Sequence, residues 1–435
     1  MSSLASPDQP VYALPEENLI PPGNHFSKMA QIPASRMFLI KKSLKTYRQN
    51  NPDSPVYDAS QGDGGASLPG TPPEILERAA KLQRDHGTGY DSPFGTTQFR
   101  EIVASKYWGF APDIGLAPAN VIATVGGRDG LVKSYEAMLN LGYGNQGDVL
   151  LVSRVPWISY NWGPYGVGAN VMLAPGREED GWTYSEEGIK ASVALAAKSG
   201  RKIAGMIVTN PDNPTGQTIS VEKQISLGKS ALESGVAFVL YDWIYHQVTD
   251  EEPMDINAFM REFTAQEREK IIILDGLTKS LGGSNIRSAH LVAPEKVCNF
   301  ITARASHNII PPFYGTAVAM AAYEMGYKEA SRSIVEPTNA SRKVLQSFLD
   351  KNKFKYILGK GYYAFIHVGE WLKHKGWDDT ESLSQYLAEE HGIASVPGVY
   401  FSQYGKEWLR FSYATPPEKT QGAAERLLQG LDALK

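Results

Sequence analysis

The chain has 435 residues, 42% of them hydrophobic, with 43 Lys+Arg against 47 Asp+Glu and a net charge of −4. That length and apolar content allow two or three domains, or one large α/β unit with a smaller partner, and exclude a largely disordered chain. The charge balance has no basic excess for a nucleic-acid partner. The single cysteine, Cys298, excludes an internal disulfide framework or a CxxC metal site, and His246, His307 and His367 have no metal-ligand spacing, so no metal is expected. No apolar run approaches the ~20 residues needed to span a bilayer, and the N-terminus has no basic start before an apolar core. No membrane partner is expected, and the expected location is cytoplasmic.

Residues 1 to about 55 are rich in proline and polar residues and read as an arm, with one helix predicted over 35–49. The stretch 57–69 is a glycine-rich loop containing Gln61-Gly62-Asp63-Gly64-Gly65. Thr71-Pro72-Pro73-Glu74 reads as a helix start: Thr71 as N-cap, proline at the first position, Glu74 completing a capping box, and the helix running to about 85. From about 96 to 315, apolar runs alternate with helical patterns. A helix over 128–141 precedes a strand over 149–152, a helix over 184–198 precedes a strand over 203–208, and a helix over 220–234 precedes a strand over 236–240. Strands are also predicted over 121–123 and 271–274, and a helix over 294–305 buries Cys298 as a small hydrophobe. This alternation predicts βαβ units and a mostly parallel sheet. A long helical pattern over 314–352 is expected to break near Pro337. Short strands follow around 357 and over 363–368, 393–396 and 409–413, with a helix between and a last helix from Pro416, and read as a separate α+β layer.

Four of the predicted strands end in a polar or glycine-rich cluster. These are Gly126-Gly127-Arg128-Asp129-Gly130, Asn210-Pro211-Asp212-Asn213-Pro214-Thr215-Gly216, Asp242-Trp243-Ile244-Tyr245, and Asp275-Gly276-Leu277-Thr278-Lys279 with Arg287 eight positions on. In an open parallel sheet, ligands bind beyond the carboxyl ends of the strands, so four such clusters point to one pocket. A lysine just past a buried strand is poorly solvated. A nearby cation also disfavours its charged form, and both effects free the amine to attack a carbonyl. An arginine beside it offers a planar fork for a phosphate. Taken alone, a lysine and an arginine more often mark a solvated surface; the other three clusters tip the balance.

With these motifs in order, the chain from about Tyr57 to the C-terminus resembles the class I/II aminotransferases, enzymes of fold type I that use pyridoxal 5′-phosphate. The resemblance implies a mostly parallel, seven-stranded type of sheet sandwiched by helices, plus a smaller α+β domain. It divides the chain into an arm (1–60, with the small domain and dimer interface), a large cofactor-binding domain (61–315) and a small C-terminal domain (316–435). It implies that Lys279 forms the Schiff base with the cofactor and moves protons, and that Asp242 pairs with the ring nitrogen, keeping the ring a good electron sink. Asn213 and Tyr245 then donate to the phenolic oxygen and Trp157 stacks on the ring. Gly126, Gly127, Arg128, Thr278 and Arg287 form the phosphate cup, the glycines at a helix N-terminus. Tyr90 reaches the phosphate of a neighbouring subunit, which implies a homodimer with shared active sites. Arg410, in Trp408-Leu409-Arg410-Phe411-Ser412, grips the substrate α-carboxylate, with Asn213 and Gly62 beside the substrate.

The chain departs from the family pattern at Gly276, where a serine donor to the phosphate is common, at Gly62-Asp63-Gly64, where glycine-x-proline is usual, and at the polar Gly283-Ser284-Asn285. A serine restored at 276 is expected to hold the cofactor at least as tightly, given room. The expected activity is transfer of an amino group from an α-amino acid to a 2-oxo acid. Lyases, oxidases or hydroxylases and cyclases on this fold share Lys279, Asp242 and Arg410, so motifs do not separate them. A regulator with a DNA-binding domain ahead of such a fold is disfavoured by the short, proline-broken arm. For the substrate side chain, Tyr57, Trp157, Tyr160 and Trp162 favour an aromatic or long aliphatic group, and Arg304 or His307 a distal carboxylate.

Overall fold

The computed structural model describes residues 36–435. The expectations for residues 1–35, including the first residue of the predicted N-terminal helix, lie outside the described residues. A helix stands at Met37–Asn50, followed by a two-residue strand β1 (Tyr57–Asp58).

Seven strands build the central sheet: β2 (Val121–Thr124), β3 (Val149–Val152), β4 (Asn170–Leu173), β5 (Ile203–Thr209), β6 (Val239–Asp242), β7 (Ile271–Gly276) and β8 (Ala289–Val292). Their order is β2-β8-β7-β6-β5-β3-β4. β8 runs antiparallel to both neighbours, and all other pairs are parallel, so β2 points the same way as the rest. The strands are buried along nearly their whole length. That is the mark of a sheet covered on both faces. In β7, Ile271 and Ile273 enter one apolar cluster while Ile272 and Leu274 enter another, the period of two that a sheet imposes.

The C-terminal part carries β9 (Tyr356–Leu358), β10 (Tyr363–His367), β11 (Ile393–Ala394), β12 (Val396–Pro397) and β13 (Trp408–Ser412). Four of these make an antiparallel sheet, β12-β13-β10-β9, while β11 pairs in parallel with β1. The N-terminal helix lies on the helix Thr380–His391: Arg36 Nε donates to Glu381 at 2.9 Å, and Ser43 Oγ donates to Glu389 at 2.9 Å. The start of the described chain is therefore tied to its C-terminal layer. No described helix is long and apolar enough to cross a membrane.

Several boundaries differ from the sequence reading. β6 starts at Val239 and includes Asp242, and β7 continues through Gly276, because both are paired in register to those residues. β4 and β8 were not predicted; each carries a buried polar residue, Asn170 or His290, that interrupts the apolar run. The helix after the glycine-rich loop spans Pro73–His86 with Pro72 at its N-cap, so Thr71 caps nothing. Its hydroxyl instead donates to the Leu281 carbonyl at 3.1 Å, tying this turn to the segment after Lys279. The long helical pattern breaks at Gly326 (φ 96°), between helices Phe313–Met325 and Tyr327–Lys351, and Pro337 lies inside the second. Just after that proline, Thr338 Oγ1 donates to Ile334 O at 2.6 Å and Asn339 Nδ2 to Val335 O at 2.9 Å, back-bonds onto the same helix, while the missing Pro337 N–H falls opposite Ser333 O.

This placement of the break is testable. Gly326→Ala is expected to lower stability by about 1 kcal/mol through backbone strain at positive φ, since a Cβ there meets nothing within 4 Å. Pro337→Ala, which restores a helical N–H, is expected to leave stability unchanged or raise it. Urea midpoints of the two variants check both signs.

Candidate active site

The strand register brings the four clusters together. Thr209 is in register with Asp242, and Asp242 with Leu274, while Thr124 and Gly276 both face Ala289 of β8. The segments that leave these ends, together with β13, β10 and the loop after β1, line a cavity of about 600 Å³. Gly62, Gly127, Arg128, Trp157, Asn213, Asp242, Tyr245, Thr278, Lys279, Arg287 and Arg410 all line it.

Lys279 is half-buried, and its Nζ donates to the Gly62 carbonyl at 2.6 Å. Its own backbone carbonyl accepts from the Tyr362 hydroxyl, and the Tyr245 ring stands 5.4 Å from Nζ. Burial lowers the pKa of this amine; Arg410 and Arg128 push the same way, against Tyr363 and Asp63. The closeness depends on glycine, since a Cβ at Gly62 would lie 2.5 Å from the Tyr363 hydroxyl.

Asp242 ends β6 with 3% of its surface exposed. The Tyr160 hydroxyl donates to Oδ2 at 2.6 Å, Thr209 Oγ1 donates to that hydroxyl at 2.9 Å, and Ile244 N donates to Oδ1 at 3.1 Å. Burial pushes the carboxyl up to about 6 despite these donors. A carboxylate so placed is stabilised by a cation brought into the cavity.

A second region collects positive charge. Gly126 has φ 78°, and a Cβ there would lie 2.5 Å from Arg287 Nη2. Arg287 donates from Nη1 to Ser284 O at 2.7 Å and from Nη2 to Val125 O at 3.1 Å. Arg128, in the first turn of the helix Gly127–Leu141, lies 5.4 Å from the Trp157 ring. Burial, and then the charge of Arg287, lower its pKa. Two guanidinium groups at a helix N-terminus, bonded only to carbonyls and a ring face, form an anion site.

Arg410 sits in β13, flanked by Phe365 of β10 and Val396 of β12. Nη1 donates to Asn213 Oδ1 at 2.9 Å and Nη2 to Ser60 O at 2.9 Å, while Nε is buried without a partner. The Tyr363 ring lies 4.3 Å away. Asn213 Nδ2 in turn approaches the Tyr245 hydroxyl at 3.5 Å, and that hydroxyl donates to Tyr363 at 3.3 Å. Burial would raise the Tyr363 phenol, yet the cations Arg410 and Lys279 bring it below its ordinary value.

The sequence from 58 to 427 matches the family described as aminotransferase class I and II. The chain belongs to this family, and it is an aminotransferase. It is 26% identical over 370 residues to an aspartate aminotransferase of Geobacillus stearothermophilus, covering 83% of this chain and 88% of that relative. Identity to an aspartate aminotransferase of Pyrococcus horikoshii is 26% over 413 residues, covering 92% and 98%. Among solved structures, aspartate aminotransferase from Thermus thermophilus with maleate is similar at a TM-score of 0.77 and 23% identity, over 93% of this chain and 98% of that one. The family is one of pyridoxal-phosphate enzymes of fold type I, and the covered seven-stranded sheet with its smaller antiparallel companion is that fold.

Some sequence expectations do not hold. The Gly276 position has no room for a serine: a Cβ would lie 2.5 Å from Ala289 Cβ and 2.7 Å from Ala289 Cα, pressed against β8, and Gly276 does not line the cavity. Arg304 pairs with Glu136 at 3.4 Å, and neither it nor His307 lines the cavity. Tyr57 and Trp162 are also absent from its walls. Tyr90, expected to serve a neighbouring subunit and not its own, is fully exposed and off the cavity of its own chain. The cavity also uses Met37, Asp63, Tyr363 and Ser284, which were not assigned roles, and Tyr160 as the donor to Asp242. Tyr363 carried a signal, since it directly follows Gly361-Tyr362 at the start of a predicted strand; Met37 carried none.

Gly276→Ser is therefore expected to destabilise the fold by about 1–3 kcal/mol through overpacking against β8. Denaturant midpoints measured with and without pyridoxal phosphate check this. A midpoint equal to wild type would show that β8 yields to the added atoms.

Proposed function

We propose that this aminotransferase holds pyridoxal 5′-phosphate in the cavity and moves the amino group of an α-amino acid to a 2-oxo acid, with Lys279 as the central catalytic residue. The observation that carries the reading is the set of charges that line one cavity with the half-buried amine of Lys279: the Arg128–Arg287 pair, Asp242 and Arg410. The cofactor's phosphate, ring nitrogen and carbonyl match the arginine pair, Asp242 and Lys279, and Arg410 is left for a substrate carboxylate. When bound, the cofactor supplies a carbonyl for amine exchange and a ring that accepts electrons from the Cα bond.

The chain's own groups do the rest. The lowered pKa of Lys279 leaves Nζ free both to attack a carbonyl and to take the proton from the substrate Cα. Asp242, oriented by Tyr160 and Ile244, holds positive charge on the ring nitrogen. Asn213 and Tyr245 donate to the ring oxygen, and Trp157 covers the ring face. Gly126, Gly127 and Thr278 complete the phosphate cup with the two arginines. Arg410 takes the α-carboxylate with a planar fork and so fixes which Cα bond is broken; Gly62 and Asn213 line the same place. Arg128, Lys279, Arg287 and Arg410 are the cations lining the cavity among the described residues, and each already has a role. A second carboxylate, as in the substrate named by the aspartate aminotransferase relatives, would need a cation from elsewhere. The exposed Tyr90 suits a homodimer in which it completes the neighbour's phosphate site, in a cytoplasmic enzyme.

Lys279→Ala is expected to abolish turnover with the fold intact by circular dichroism. In the wild type, borohydride should fix the cofactor to Lys279, read by peptide mass. Labelling of another lysine would remove Lys279 from the mechanism. Half-reactions with a panel of amino acids, followed by cofactor absorbance, test transfer itself: a keto acid released once per site without an acceptor, and repeatedly with one, marks a transaminase.

Asp242 gives a prediction with a sign. Its folded pKa of about 6 exceeds the unfolded value of 3.8, so the folded state binds the extra proton between the two. Its contribution to stability is greatest below about pH 4 and falls as pH rises through about 6. In protein stripped of cofactor, Asp242→Asn should therefore be more stable than wild type near pH 7, by on the order of 1–3 kcal/mol, and gain less near pH 4. The same variant should lose most of its kcat. Urea midpoints at the two pH values, set beside kcat, check the pairing of opposite effects.

A further inference from the structure

Behind the strand ends lies a second buried carboxylate that the proposed reaction does not use. The alternation along β7 places Asp275 on the face away from cavity-lining Leu274, and it is 1% exposed. Gly276 N donates to its Oδ1 at 2.7 Å, the Tyr107 hydroxyl donates to Oδ2, and His246 Nε2 lies 2.9 Å from Oδ2. The hydrogen bonds of the His246 ring make Nε2 its donor. Its Nδ1 accepts from Met254 N at 3.2 Å, and a doubly protonated ring would set donor against donor there. Burial, and after it the charge of Asp275, hold the Tyr107 phenol well above its ordinary pKa, so it stays a neutral donor. His290, opposite Asp275 in the register, accepts from Trp108 Nε1 at 2.8 Å, and burial brings it down to about 4. Burial also raises the neighbouring phenols Tyr323 and Tyr327.

Asp275 thus has three hydrogen-bond donors and none of them is charged. A buried carboxylate held only by neutral donors keeps its charge unbalanced, and positive charge nearby is stabilised in return. The cavity lies just beyond this strand end, with Lys279 in its wall four residues after Asp275. Asp242 is paired to Leu274, one residue before Asp275. Burial is the main reason the Asp242 carboxyl is raised, and Asp275 adds to it, the same field acting on a second group.

We propose that Asp275 is a positioning residue, an ionised carboxylate held by neutral donors behind the sheet, whose field favours positive charge on the cofactor ring nitrogen beside Asp242. This rests on the cofactor reading above. The test compares binding of pyridoxal 5′-phosphate with that of its 1-deaza analogue, in which carbon replaces the ring nitrogen. Both are titrated into protein stripped of cofactor and read by tryptophan fluorescence. Asp275→Asn is expected to weaken the natural cofactor about tenfold more than the analogue. A purely structural role would weaken both alike, so equal losses, or no loss, overturn the proposal. His246→Gln replaces one neutral donor with another and should leave the affinity ratio unchanged. A ratio that rises toward the natural cofactor would show that His246 was charged and the pair neutral, which also overturns it. Should Asp275→Asn not fold, the His246→Gln ratio decides. Failure of the wild type to bind either compound would instead overturn the cofactor reading, and this inference with it.

Discussion

Positive charge held without a carboxylate partner is the constraint on which the rest of this molecule depends. Arg128, Lys279, Arg287 and Arg410 line one cavity, and among the described residues none of the four is in a salt bridge. They are held by oxygens that orient without neutralising: the carbonyls of Gly62, Ser284, Val125 and Ser60, and the side-chain oxygen of Asn213. Ring faces of Trp157, Tyr245 and Tyr363 add contact without opposite full charge. The cost is burial first and repulsion between the cations after it, which together lower the pKa values of Arg128 and Lys279. It is offset when anionic groups of ligand enter, which is why the site suits a phosphate and a carboxylate together.

The same constraint explains why two different sheets are needed. Lys279 and Asp242 come from the parallel sheet and Arg410 from the antiparallel one. The loop after β1 touches both: Ser60 O receives Arg410 and Gly62 O receives Lys279, two residues apart. The distance between amine and guanidinium is thus set by a short piece of backbone, not by long side chains. A second tie lies at Asp250, which pairs with Arg342 at 2.7 Å and Lys360 at 2.8 Å. Lys360, then Lys343 and Arg342, hold this carboxyl well below its ordinary range. Because misplacement by an ångström at a reacting centre costs rate steeply, such cross-links between the layers bear directly on chemistry.

How much of this was legible in the sequence follows from where each signal resides. Strands β3, β5 and β7 stand out because burial on both faces makes continuous apolar runs, and their ends carry the polar clusters that meet in the cavity. β4 and β8 are as short as β3 but carry Asn170 and His290, which break the apolar run. Proline is the stronger local breaker and so marked 337 in the sequence, yet a helix runs through it and the break falls instead at Gly326, where φ is positive. Thr71 carried an N-cap pattern, but a tertiary partner, the Leu281 carbonyl, took its hydroxyl. Gly276 looked like a lost phosphate donor because spacing from Lys279 says nothing of where a Cβ would point. The sheet decides that, and it points to Ala289. Met37 enters the cavity through long-range packing of the N-terminal helix, which no local pattern records.

The buried acids show how far such a site trades stability for readiness. Asp242 is hydrogen-bonded by Tyr160 and by Ile244 N, yet burial outweighs both and leaves the carboxyl reluctant to ionise. If folding alone shaped this position, an uncharged residue would serve better, since a lone buried charge is destabilising. The donors suit another purpose. Tyr160 fixes the direction of Oδ2, and Thr209 fixes the proton of Tyr160 by occupying its acceptor side. Orientation is thereby settled before any ligand arrives, and a cation entering the cavity meets a carboxyl already aimed at it. That arrangement places the cost in the protein and the gain in the complex, as preorganised electrostatic stabilisation requires.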